Sequence, residues 1–161
     1  MTCLRLLILL TYFYSLLVRA SPTPCTFFTT AADPKTPPSY DIAKAYSASD
    51  LVVIGNSASF VSNRPQDIHI TKIIKGNSPD HILLEGIHES GTDPWGSAIS
   101  TDGDYLLFLK SGSRYSWVDG GSGCPNSFKV YSNKITLGKI QVEVKNLKSY
   151  FESNPKPFPM N

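Results

Sequence analysis

Between Leu51 and Tyr131 the chain is a succession of short apolar runs, each closed by glycine, proline or asparagine. Runs of this length suit strands rather than helices, and the punctuation between them supplies turns. Leu51-Val52-Val53-Ile54 is continuous and carries on through Gly55 towards Phe60-Val61, with the glycine placed for a bulge or tight bend. Asn63-Arg64-Pro65 reads as a turn, Ile68 to Ile74 as a strand, and Lys75-Gly76-Asn77-Ser78-Pro79 as a second turn. His81 to Leu84 follows as a strand, and then a long loop from Gly86 to Asp104. Tyr105-Leu106-Leu107-Phe108-Leu109 is the most apolar run after residue 20, and Arg114–Val118 and Phe128–Tyr131 complete a set of six. Six short strands with turns between them predict a small barrel or sandwich.

The flanks have other patterns. Five prolines within residues 21–39 predict an extended arm rather than a packed element. Tyr40–Tyr46 fits a short helix with Ser39 as its N-cap. Ile140, Val144, Leu147 and Phe151 fall at i, i+4, i+7 and i+11, one face of a C-terminal amphipathic helix, with Lys145 and Lys148 towards the end that favours cations. Residues 154–161 hold three more prolines and read as a flexible tail. The expected organisation is a leader over 1–20, an arm over 21–39, one domain over 40–153 and the tail.

Residues 1–20 indicate the compartment. Arg5 precedes an apolar stretch from Leu6 to Val18, and Val18 and Ala20 stand three and one positions before a cut at Ser21. This is the pattern of a secretory signal peptide. A run of about 13 residues is shorter than the roughly 20 that cross a bilayer, so stable membrane insertion is not expected. Removing Arg5 and Arg19 leaves thirteen basic side chains against thirteen acidic ones, and no basic stripe remains to attract nucleic acid. Cys3 leaves with the leader. Cys25 and Cys124 remain, an even pair that forms one disulfide most simply in an oxidising compartment. No N-x-Ser/Thr acceptor for N-glycosylation occurs.

Chemistry-bearing patterns are sparse. His69, His81 and His88 include no i, i+4 pair, and no HExxH is present, so no metal site and no cofactor are expected. The nearest approach to a nucleophile elbow is Gly120-Gly121-Ser122-Gly123, whose glycines suit a turn that delivers Cys124. Asp102 and Asp104 flank Gly103 as turn formers. Trp95, beside Pro94 and Gly96 in the long loop, is an aromatic anchor for a partner or a cover for one end of the fold. Tyr115 and Trp117 alternate and are assigned to one sheet face.

Three blocks occur in a fixed order: Ala48-Ser49-Asp50-Leu51-Val52-Val53-Ile54-Gly55, then Ile73-Ile74-Lys75-Gly76, then Gly103-Asp104-Tyr105-Leu106-Leu107-Phe108-Leu109. A cysteine in an extended arm precedes them and Cys124 follows. Over about residues 25–150 this order resembles the netrin-module and TIMP-like superfamily, the tissue inhibitors of metalloproteinases and their secreted relatives. The resemblance implies a mainly β protein, a five-stranded Greek-key OB-fold barrel with a short N-terminal helix and a C-terminal amphipathic helix. It also implies that Cys25 pairs with Cys124. Family inhibitors begin at the first cysteine of a Cys-x-Cys pair and use that residue's amine and carbonyl to fill the open position of a protease's zinc.

Here Cys25 matches the second cysteine of that pair, and Thr23 stands where the first would be. The loop over residues 86–103, where the first cysteine's partner would lie, has no cysteine either. The sequence is therefore read as a secreted, non-enzymatic TIMP-like domain that engages an extracellular protein or glycan through Thr23, Cys25 and Trp95. A metalloendopeptidase inhibitor acting on a zinc metalloproteinase through its N-terminal ridge is the alternative, and a secreted hydrolase the second alternative.

Overall fold

The computed structural model describes residues 25–29, 38–58, 64–85, 99, 103–118 and 124–159. The protein is mainly β. In chain order, β1 (Phe28–Thr29) and β2 (Ser39–Tyr40) precede helix α1 (Ile42–Ala48). There follow β3 (Leu51–Ser57), β4 (Gln66–Lys75), β5 (His81–Leu84), β6 (Tyr105–Lys110), β7 (Ser116–Trp117) and β8 (Ser127–Tyr131). The chain continues with β9 (Lys134–Leu137), β10 (Ile140–Glu143), a 3-10 turn (Val144–Asn146), helix α2 (Leu147–Glu152) and β11 (Phe158–Pro159). The large sheet has the order β10-β9-β8-β6-β3-β4-β5, with β7 paired to β6, and every ladder in it is antiparallel. Among the described residues the ladders do not close into a barrel. One parallel contact joins Leu84 to Tyr115, where Tyr115 N–H donates to Leu83 O at 3.0 Å and Glu85 N–H to Tyr115 O at 2.9 Å.

Strands β3 and β6 are central and are buried on both faces, which accounts for their unbroken apolar runs. Alternate side chains serve two cores. Leu51 and Val53 of β3 and Tyr105, Leu107 and Leu109 of β6 pack with Ile68, Ile70, Ile82, Leu84 and Trp117. Val52 and Ile54, with Leu106 and Phe108, face the helices, β9 and the arm. Two register shifts between β3 and β4 mark irregularities in that ladder. Such bulges bend a strand, and β4 sends Ile68 and Ile70 to one core and Ile74 to the other. Gly55 sits at one shift, and a Cβ there would lie 2.8 Å from Ile68 Cγ2.

The flanks differ from the sequence expectation in four ways. First, part of the arm is packed: β1 pairs with β2, and Cys25 and Phe27 are buried. Tyr40 is the reason, because its fully buried ring meets Phe27, Phe28, Phe128 and Phe158 at centroid distances of 5.8–6.2 Å. Second, Ser39 is committed to β2, so the helix starts later and Asp41 is its cap, accepting from Lys44 N–H at 2.9 Å. Third, residues 140–143 form a strand instead of the first turn of the C-terminal helix. Ser132 and Asn133 both have positive φ, 48° and 62°, the condition for a tight hairpin between β8 and β9. Gly138, at φ 60°, turns the chain again into β10. Ile140 is left half exposed while Val144, Leu147 and Phe151 keep the buried face, and Lys148 falls in the first turn of α2 rather than its last. Fourth, Phe158 beyond α2 is buried in β11 against Tyr40, so the segment read as a tail contributes to the core. Among the described residues no helix is long and apolar enough to cross a membrane.

Candidate functional site

The root of the arm is the best defined of the residues assigned to partner binding. Cys25 and Cys124 form a disulfide with Cα atoms 4.9 Å apart, and both are buried. Lys44 Nζ donates to Thr26 O at 2.9 Å and Asp41 N–H to Phe27 O at 2.8 Å, so helix α1 clamps the arm from one side while the disulfide holds it from the other. Cys25 is thus placed beside the start of the fold as a fixed point, with its sulfur turned inward. Thr23 and Trp95 lie outside the described residues, as do His88, Asp102 and Ser122.

The sequence blocks that carried the resemblance lie on paired strands: Asp50 and Lys75-Gly76 meet at one end of β3, and Asp104 stands at the other. Lys75 Nζ donates to Tyr46 O, Ser47 O and Ser49 O at 2.7, 3.1 and 2.6 Å, satisfying carbonyls at the end of α1. Gly76 follows at φ 84°, where an added Cβ would stand 2.5 Å from Asp50 O. Asp50 in turn accepts from the Ser111 N–H and hydroxyl, both at 3.1 Å, and from Lys110 Nζ at 3.3 Å. The Ser111 backbone N–H and hydroxyl, with Lys110 beside them, hold the Asp50 carboxyl below the usual aspartate range. Ser49 Oγ donates to Ala45 O at 2.8 Å, and Asp104 accepts from Asn56 Nδ2 at 2.8 Å. These polar residues tie α1, β3, β4 and β6 together; their work is structural.

Other perturbed groups also have local causes. The hydrogen bond from Lys145 lowers Glu143 and raises its lysine partner, across 2.8 Å at the surface. Burial raises Tyr46, with Glu152 adding to the effect, and burial alone raises Tyr150. Tyr150 borders an open concavity of about 560 Å³ beside β10, the end strand of the sheet among the described residues, with Glu143, Asn146 and Ser149. There Ser149 Oγ donates to Asn146 O at 2.9 Å and Glu143 pairs with Lys145 at 2.8 Å. Among the described residues no three His, Cys, Asp or Glu side chains are grouped to hold a metal ion.

Sequence reasoning treated His69 and His81 separately. The structure sets them opposite each other on β4 and β5. The turn over residues 75–79 does not give this register, because β4 outruns β5 and goes on pairing with β3 as far as Lys75. The signal that was legible is the alternation of each strand, which turns both histidines outward.

No protein-family model, curated protein or solved structure matches the chain.

Proposed function

We propose that this chain is a secreted TIMP-like OB domain that binds an extracellular protein or glycan and catalyses no reaction. The observation that carries the reading is the order of strand contacts. β3 pairs with both β4 and β6, β4 with β5, and β6 with β7, and the parallel Leu84–Tyr115 contact links β5 to the residue before β7. That order supports the reading of these strands as a partly open, five-stranded Greek-key barrel of the OB type. The side chains these strands share support it: Leu51, Val53, Ile68, Ile82, Leu107 and Trp117 form one core. Strands β8 to β10 would then be an extension of the sheet outside the barrel.

The binding role rests on the arm. A disulfide-held root lowers the ordering cost of any segment presented from it, the usual benefit of preorganisation. In this reading the contact surface comprises the arm at Thr23, rooted at the buried Cys25, together with Trp95 of the long loop. Secretion follows from the leader pattern, and the Cys25–Cys124 bridge accords with an oxidising compartment.

N-terminal sequencing and intact mass of the natively secreted protein test this directly. A chain that starts at Ser21 with a bridged cysteine pair is expected. Pull-down with the secreted chain, repeated with Trp95→Ala and with residues 21–24 removed, should then show partner capture that both changes weaken. A chain starting at Cys25 that inhibits a zinc metalloproteinase would replace the reading with the inhibitor one. Capture unaffected by both changes would place the binding surface elsewhere.

A further inference from the structure

The outer face of the β4–β5 ladder carries two imidazoles that neither core packing nor the binding surface above uses. His69 and His81 are direct partners in the antiparallel register, and both are exposed. Opposed side chains on such a ladder have Cβ atoms about 4.5–5.5 Å apart. Their ring centroids lie 4.9 Å apart, with planes inclined by 38°. On the same face, Asp67 Oδ1 lies 3.1 Å from His81 Nδ1.

We propose that His69 and His81 form a two-imidazole chelate for a late first-row divalent ion, with Cu(II) bound more tightly than Zn(II). Neutral imidazole nitrogen is a favoured ligand for both ions, and affinity at a nitrogen site rises to a maximum at copper. The ladder fixes the two backbones, while the terminal torsion of a histidine is broad and soft. The exposed rings can therefore turn one nitrogen each towards a common point without moving β4 or β5. Asp67 is a positioning residue in this arrangement. By accepting the Nδ1 proton of His81 it leaves the lone pair on Nε2, the carboxylate–histidine relation common behind metal-bound imidazoles. Its negative charge also favours a cation nearby. Two protein ligands leave the remaining coordination positions to water or to a donor from a partner.

The experiment uses the full secreted chain, stripped of metal by chelator and titrated by calorimetry with Cu(II) and with Zn(II). Nitrogen couplings in the electron paramagnetic resonance spectrum of the copper form supply a second readout. One ion per chain is expected, with copper tighter than zinc and two imidazole nitrogens on copper. His69→Ala and His81→Ala should each weaken copper binding at least about tenfold and remove one nitrogen coupling. Both sites are exposed, so the thermal midpoint of the metal-free variants should match the parent. Asp67→Asn should weaken binding about tenfold with the same unchanged midpoint, and Asp67→Glu should recover part of the loss. Absence of stoichiometric binding, or copper binding that survives the double His69→Ala, His81→Ala change, would overturn the chelate. Full affinity in Asp67→Asn would overturn the positioning role.

Discussion

At the C-terminal end of α1, Lys75 donates to three carbonyls that the helix cannot satisfy itself. Its ammonium also lies 5.0 Å from the Tyr46 ring centroid. Lys75→Met keeps most of the stem but leaves the carbonyls without the cation, and should lower stability by about 1–3 kcal/mol in urea unfolding. An unchanged midpoint would mean that water replaces the ammonium at no cost. Gly76→Ala should also destabilise, because φ 84° and the approach to Asp50 O both exclude a Cβ. Asp50 gives a pH signature. Its folded carboxyl titrates below the usual aspartate range, so its contribution is present above that range and is lost as pH falls through the lowered value. Asp50→Asn should therefore be less stable than the parent at neutral pH, and the difference should shrink progressively in acid. Thermal melts across the acid range check this. A difference that grows in acid would reverse the sign and refute the assignment.

The elements differ in how openly the sequence announces them. Strands β3, β5 and β6 were legible nearly to the residue, because both faces of β3 and β6 are buried and an apolar run has no other use there. Strands β9 and β10 were not, since Ile140 happens to stand four residues before Val144 and so extends a helical period by coincidence. What overrode that period was turn chemistry at Ser132-Asn133 and Gly138, where local φ values set two hairpins. The packing of residues 25–29 and 39–40 was hidden for a different reason: prolines describe local stiffness, whereas Tyr40 and Phe158 supply a long-range aromatic contact that composition does not reveal. Of the residues proposed for binding, the cysteine pair was legible from parity, and the opposed histidines were hidden because register belongs to two strands at once. The disulfide reaches far along the chain, closing 99 residues of separation. In the chain-entropy view a loop of that size is worth about 4–5 kcal/mol, and losing native bridges costs about 2–5. Cys25→Ala with Cys124→Ala should lower the unfolding free energy by that amount. The same variant should show early proteolysis around residues 26–29, because among the described residues the anchors left there are the β1–β2 pairing, the Phe27 contacts and Lys44. Resistance equal to the parent would show that the aromatic cluster alone secures it.

At the scale of the molecule, the two cores are not independent layers, because β3 and β6 contribute to both from alternate residues of the same backbone. Neither core can lose order without displacing the strands that wall the other, so the fold should unfold as one unit although its sheet is long. Leu107 and Phe108 are adjacent on β6, both are fully buried, and they face opposite cores. Leu107→Ala should cost about 2–5 kcal/mol and Phe108→Ala about 3–5, the range for large cavities in a close-packed interior. The informative quantity is where each loss appears. Trp117 reports the core that holds Leu107, and its fluorescence can be read in a Trp95→Phe background. Far-ultraviolet circular dichroism reports the whole sheet. With shared strands, both variants should shift the two signals together in a single transition with an unchanged denaturant slope. Should Phe108→Ala instead melt the dichroism signal first and leave Trp117 native, the helix-side core would be a separate unit. The sheet would then be two weakly coupled bodies joined at β3 and β6, and the strands that pack with Trp117 would stand as a domain without the arm, α2 or β8 to β10.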